Sequence, residues 1–131
     1  MKFFDTNILV YANTHEPKSI IAREVLREGG FISTQVIAEF AHVMFRKAHY
    51  SWAEINEALA DIDAAMTGIL SLTRELQREA FALSEAHQLS IYDSQIVAAA
   101  QKAKCRELIS EDFQHGQRFG NLTVRNPFLN G

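Results

Sequence analysis

Short apolar segments alternate with helix-length amphipathic ones along the whole chain, and this alternation restricts the fold more than any other feature. KFFD at 2–5, FIS at 31–33, ILSL at 69–72, ELIS at 107–110 and LTVRN at 122–126 read as five short strands. Helical spacing fills the gaps. Pro17 suits the first turn of a helix carrying Ile20, Ile21, Ala22, Val25 and Leu26, and Gly29–Gly30 stops it. Thr34 is the expected N-cap of a helix running to about 47, with Val36, Ile37, Phe40, Val43 and Met44 inside. Ser51 and Glu54 have the form of a capping box, and so do Ser90 and Asp93; Thr73 caps a helix that carries Leu76, Ala80, Leu83 and His87. The structure of 6–16 is left open by its pattern, and 111–120 reads as a loop with a short helical turn. Strands separated by helices imply right-handed crossovers. The expectation is an α/β three-layer sandwich: a mostly parallel, five-stranded central sheet flanked by helices, in one domain spanning 1–131.

Composition bounds the class. A chain of 131 residues, 47% hydrophobic and 22% charged, buries a real core. No apolar run approaches the roughly 20 residues of a membrane span. Lys2 leads directly into Phe3 and Phe4 without a secretory segment, and the lone Cys105 permits no internal disulfide. The expected location is the cytoplasm. Net charge is −3, which argues against binding nucleic acid by bulk charge. A nucleic-acid role would instead need cations at one site.

Asp5 interrupts an apolar run, and aspartate is rarely buried without a partner. Parallel α/β sheets bind ligands outside the carboxyl ends of their strands. Asp5 follows the first expected strand and Asp112 the fourth, which brings both to that rim. Asp93 lies in the opening turn of a helix that begins there. Glu39 falls at the edge of the apolar arc formed by Val36, Phe40 and Val43. Each has a plainer explanation: a cap for Asp93, a turn for Asp112, a solvated helix edge for Glu39, an Asx turn for Asp5. With 16 acidic residues in the chain, number alone means nothing; the convergence of four independent placements does. Crowded carboxylates repel unless a cation joins them. An all-oxygen site suits Mg²⁺, with Mn²⁺ as a substitute, and such ions promote phosphodiester hydrolysis.

Asp5-Thr6-Asn7, Val36-Ile37-Ala38-Glu39-Phe40, Tyr92-Asp93-Ser94 and Ser110-Glu111-Asp112, in that order, resemble the PIN domain. The run YDSQIVAAAQKAKCRELISEDFQHGQRFGNLTVRNPF is similar to the carboxyl half of VapC-type toxins of bacterial toxin–antitoxin pairs. Ser94 departs from the alanine frequent at that place. The resemblance implies a Mg²⁺-dependent endoribonuclease whose catalytic, metal-binding set is Asp5, Glu39, Asp93 and Asp112. It also implies a homodimer and a VapB-type antitoxin that covers the site. In that frame Asp5 and Asp93 hold the principal ion, Asp112 completes that site or a second one, and Glu39 ligates or orients the attacking water. Thr6, Asn7 and Ser110 are then hydrogen-bonding partners that hold the carboxylates. Arg118 is the candidate phosphate contact.

Other residues invite plainer readings. The five histidines show no zinc spacing. His115 is expected to stabilise its loop, and His87 to be partly buried. Lys102, Lys104 and Arg106 are expected to be solvated. Val43, Met44 and Phe45 are consecutive and cannot face one core, so their helix is either buried on two sides or presents a groove for an antitoxin helix. Two rival functions stand beside the nuclease. One is an RNA- or protein-binding module without turnover. The other is an aspartate-nucleophile phosphotransferase, which wants a second aspartate where this chain has Asn7.

Overall fold

The computed structural model describes residues 1–129, so the last two positions of the expected 1–131 span lie outside the described residues. The elements run β1 (Lys2–Phe4), α1 (Thr6–Ala12), α2 (Ser19–Arg27), β2 (Phe31–Ser33), α3 (Thr34–Arg46), α4 (Trp52–Ala65), β3 (Gly68–Leu70), α5 (Arg74–His87), α6 (Ile91–Lys102), β4 (Glu107–Ile109), β5 (Arg118–Phe119) and β6 (Leu122–Arg125). The strands form one sheet in the order β3-β2-β1-β4-β6-β5. Every pairing is parallel except β5 with β6. The helices flank it: α1 packs on α2 and α3, α3 on α4, and α5 on α6.

The sheet has six strands, not the five expected. The additional one, Arg118–Phe119, lies where the pattern suggested only loop and helical turn. Two residues are too short to show a period. The available signal was Gly120–Asn121, a two-residue hairpin turn between RF and LTVR, with Gly120 at φ +62°. Residues 6–12, which the pattern left open, form α1. Ser33, not Thr34, caps α3, its hydroxyl accepting from the Val36 N–H. The Thr34 hydroxyl instead accepts from the Leu72 N–H, 3.0 Å away, tying down the segment after β3.

Both faces of the sheet are covered. Phe3, Phe4, Ile32, Leu108 and Ile109 are fully enclosed, together with Ile8, Leu9, Val36, Phe40 and Met44 from the helices. α6 is buried without interruption from Ser94 to Ala100, so it has no polar stripe over that length. Three consecutive alanines keep it slim enough to pack closely on its neighbours. Ser94 meets the half-buried Ser84 of α5 through a 2.7 Å hydroxyl pair, which gives the buried Ser94 hydroxyl its partner. Gly30 permits the close approach of β2 to β1: a Cβ there would stand 2.4 Å from the Lys2 carbonyl oxygen. Among the described residues no helix is long and apolar enough to cross a membrane.

Candidate active site

β1 neighbours both β2 and β4, so the order of parallel strands reverses across the β1–β4 pair. Such a reversal opens a crevice at the carboxyl ends of the strands. Asp5 leaves β1 there, its N–H donating to the Ile109 carbonyl at 3.0 Å. A cavity of about 160 Å³ opens at this rim, and Asp5, Glu39, Asp93 and Asp112 all line it. Asp5 follows β1, Glu39 comes from α3, Asp93 from the first turn of α6, and Asp112 from the segment after β4.

Each carboxylate has a local reason for its position. Asp5 caps α1, accepting the Thr6 N–H at 2.8 Å, and accepts the Ser110 hydroxyl at 2.7 Å. Burial raises its carboxyl to about 6; those two hydrogen bonds oppose the shift, and the Asp112 and Glu39 charges add to it. Glu39 accepts the Thr6 hydroxyl at 2.7 Å. It shares the pocket with Gln35 and Val43, one helical turn on either side, so a single face of α3 forms that wall. Asp112 accepts the Asn7 amide at 3.2 Å, and its own N–H donates to the Ser110 hydroxyl at 3.0 Å. Burial raises Asp112 as well, followed by the charges of Glu111, Asp93 and Glu39.

Asp93 differs from the expected capping box. Its N–H donates to the Ser90 hydroxyl at 3.0 Å. Among the described residues the reciprocal side-chain bond does not form, whereas both halves form at Ser51 and Glu54. The Asp93 carboxylate lines the pocket instead.

Thr6, Asn7 and Ser110 therefore each hold a pocket carboxylate. Arg118 does not join them. It opens β5 opposite Thr123, which is level with Glu107 at the start of β4, and it lines a different cavity. The antiparallel hairpin carries it to the other rim of the sheet, away from the four carboxylates.

Two supports have little signature in the sequence. One is a glutamine relay. The buried Gln35 donates to the Tyr92 carbonyl at 3.1 Å and accepts from Gln95 at 2.9 Å, fixing the start of α6 against α3. Its only signal was a polar residue one turn before Glu39. The other is a clamp on the neighbour of Asp112. Glu111 accepts from the Tyr11 hydroxyl and, at 2.6 Å, from the Lys18 ammonium. Burial alone would raise the Glu111 carboxyl; the Lys18 and Tyr11 contacts outweigh it and hold it below its ordinary value. Of two adjacent acids, one is thus turned away and neutralised while Asp112 faces the pocket.

The side chains outside the pocket resolve as follows. The His115 ring accepts the Asn126 N–H at 3.1 Å, stabilising its loop. His87 is exposed and meets the Phe119 ring edge-on, not partly buried as expected. Phe40 and Met44 are buried, but Phe45 is exposed and stacks on Trp52, so α3 is not enclosed on both sides.

All four acidic donors are hard carboxylate oxygens, and two of them, Asp5 and Asp112, are raised by burial and mutual repulsion. That donor set fits a divalent cation of the Mg²⁺ kind. Among the described residues no three His, Cys, Asp or Glu side chains close into a ready-made metal cage.

A crossover sheet with an acidic crevice at its reversal defines a class of α/β proteins. More narrowly, the family model for the PIN domain matches residues 2–118, and the chain belongs to that family. No curated protein sequence matches it significantly. Among solved structures it is similar to Mycobacterium tuberculosis VapC20, a sarcin-ricin loop cleaving toxin, at 17% identity and a TM-score of 0.70, over 86% of this chain and 92% of that one. It is also similar to a toxin–antitoxin complex from Klebsiella pneumoniae, at 21% identity and a TM-score of 0.74, over 98% of each chain. A third likeness is to VapBC2 from Rickettsia felis, bound to a DNA fragment from their promoter, at 21% identity and a TM-score of 0.65, over 95% of this chain and 97% of that one. At these identities the likeness is one of fold.

Proposed function

We propose that this chain is a metal-dependent endoribonuclease acting as the toxin of a toxin–antitoxin pair. The observation that carries the reading is the meeting of Asp5, Glu39, Asp93 and Asp112 in one cavity at the strand-order reversal. The fold neighbours, a sarcin-ricin loop cleaving toxin, a toxin–antitoxin complex and VapBC2 bound to promoter DNA, support the biological setting. Asp5 and Asp93 hold the principal Mg²⁺ or Mn²⁺, and Asp112 completes that site or a second one. Such an ion, when bound, would supply positive charge at the reacting phosphate and lower the pKa of its water. Glu39, steadied by the Thr6 hydroxyl, orients the attacking water in line with the scissile phosphate. Ser110 and Asn7 keep the Asp5 and Asp112 oxygens aimed inward. A VapB-type antitoxin that lays a cationic side chain into this pocket would neutralise the same carboxylates, and a homodimer is the assembly proposed for the toxin.

The test is RNA cleavage by purified protein with Mg²⁺, with EDTA, and as Asp5→Asn and Asp93→Asn. Cleavage that needs the ion and falls at least about 100-fold in both variants is the expected outcome. Cleavage persisting in EDTA or in Asp5→Asn would remove the acidic pocket from the reaction. RNA binding without turnover would favour the binding-module alternative, and hydrolysis of small phosphomonoesters alone would favour the phosphotransferase.

A further inference from the structure

Among the described residues, no lysine or arginine lines the acidic pocket. The cation nearest its Asp112 segment, Lys18, is committed to Glu111. With a net charge of −3, the chain has no bulk attraction for a polyanion either. Cations instead gather on the opposite rim. A cavity of about 580 Å³ there is lined by Lys104, Arg106, Arg118, Gln101, Asn121 and Phe119, with no carboxylate among the described residues of its walls. Among the described residues none of the three cations forms an ion pair. Glu107, next to Arg106 in sequence, is engaged by Lys2 and Arg125. Lys104 also holds a left-handed backbone, at φ +58°, in the turn after α6.

We infer that this basic cavity is a second phosphate-binding site, which grips the backbone of an RNA whose scissile bond lies in the acidic pocket. The inference rests on the ribonuclease reading and adds to it where the substrate is held. Three strand spacings and one strand length separate the two sites, roughly 15–20 Å. A folded RNA reaches both; a few nucleotides bound at the acidic pocket do not. The guanidinium forks of Arg106 and Arg118 match phosphate oxygens two at a time, and the Asn121 amide adds a donor for sugar or base, while the Gln101 amide donates to the Phe119 carbonyl at 3.2 Å. RNA is favoured over an acidic protein segment because the proposed substrate is itself a polyanion, and the pocket that cuts it supplies no attraction.

The test replaces Lys104, Arg106 and Arg118 together by glutamine. Binding is read in the Asp5→Asn background, where RNA stays uncut, by fluorescence anisotropy of a roughly 30-nucleotide stem-loop and of a trinucleotide across a salt series. The triple variant is expected to bind the stem-loop about tenfold more weakly at about 0.1 M salt. The slope of log affinity against log salt should fall by about 0.7–0.9 for each phosphate that is no longer neutralised. Trinucleotide binding should be unchanged, as should its cleavage in the otherwise wild-type protein. Arg106→Lys with Arg118→Lys, keeping charge, should restore most of the slope. Unchanged stem-loop affinity and slope would overturn the inference, as would equal losses for both ligands. Loss of antitoxin capture with RNA binding intact would assign the cavity to a protein instead. If wild-type protein cuts no RNA while the binding difference stands, the nuclease reading fails and the phosphate site survives. If the stem-loop does not bind at all, both fail.

Discussion

Asp5 is where stability and proposed function conflict. It is buried, and only a hydroxyl and one N–H offset the loss of water. With its carboxyl raised from 3.8 to about 6, the folded state holds a proton that the unfolded chain releases. The contribution of Asp5 to stability is therefore greatest below about pH 4, declines as pH rises toward 6, and stays reduced above. The penalty at pH 7 is on the order of 3 kcal/mol. Asp5→Asn should remove it. In urea unfolding of the metal-free protein, the variant is expected to be more stable at pH 7 by about 1–3 kcal/mol and equal to wild type near pH 4. Added Mn²⁺ should raise the melting temperature of wild type and not of the variant. A variant less stable than wild type at pH 7 would show that the Asp5 carboxylate is well solvated or already compensated.

Among the elements, the loop after β4 has the most to do with the site. Its two acids are sorted by different partners: Tyr11 on α1 and Lys18 just before α2 hold Glu111, while Asn7 on α1 and the neighbouring Ser110 hold Asp112. Tyr11 also meets Phe128 edge-on, with Lys18 over both rings, so the clamp is packed as well as hydrogen-bonded. Tyr11→Phe keeps the ring contacts and removes only the hydroxyl. It should lower RNA cleavage several-fold through kcat, because Asp112 loses its fixed neighbour, while stability falls by about 1 kcal/mol. Unchanged kcat would show that the Ser110 and Asn7 contacts position Asp112 without help.

The whole molecule is organised so that the pocket exists only when the sheet is complete. Asp5 and Asp112 are brought together by the β1–β4 pairing, which joins chain segments more than 100 residues apart in sequence. Leu108 lies at the centre of that pairing, fully enclosed and opposite Phe3. Leu108→Ala is expected to cost about 2–5 kcal/mol. Cation binding and far-UV circular dichroism should then be lost together at the lowered melting temperature, with cleavage below it close to wild type. Loss of cation binding well before the helices melt would instead mark the rim as a separately unfolding unit.

The architecture was legible because it depends on local properties. The alternation of buried strands with helical spacing, and Asp5 breaking an apolar run, are visible without any fold in hand. The same holds for the acidic positions: Asp5 and Asp112 follow strands, Asp93 opens a helix and Glu39 lies on one edge of the apolar arc of α3, and in a parallel α/β sheet those places face one rim. The sequence by itself determined the parallel core and which acids could meet, since residue spacing sets which side of a helix or end of a strand a group occupies. What tertiary structure alone decided was the partner of each group. Asp93 and Glu54 occupy the same capping position, yet Glu54 closes its box and Asp93 turns to the pocket. Glu111 and Asp112 are adjacent, yet Glu111 is held by Tyr11 and Lys18 and the Asp112 carboxylate by Asn7, all distant in sequence. β5 exists only by pairing with β6, and that pairing carried Arg118 away from the acidic rim. Such choices turn on which polar atoms stand within about 3 Å after packing, a distance that no one-dimensional pattern encodes.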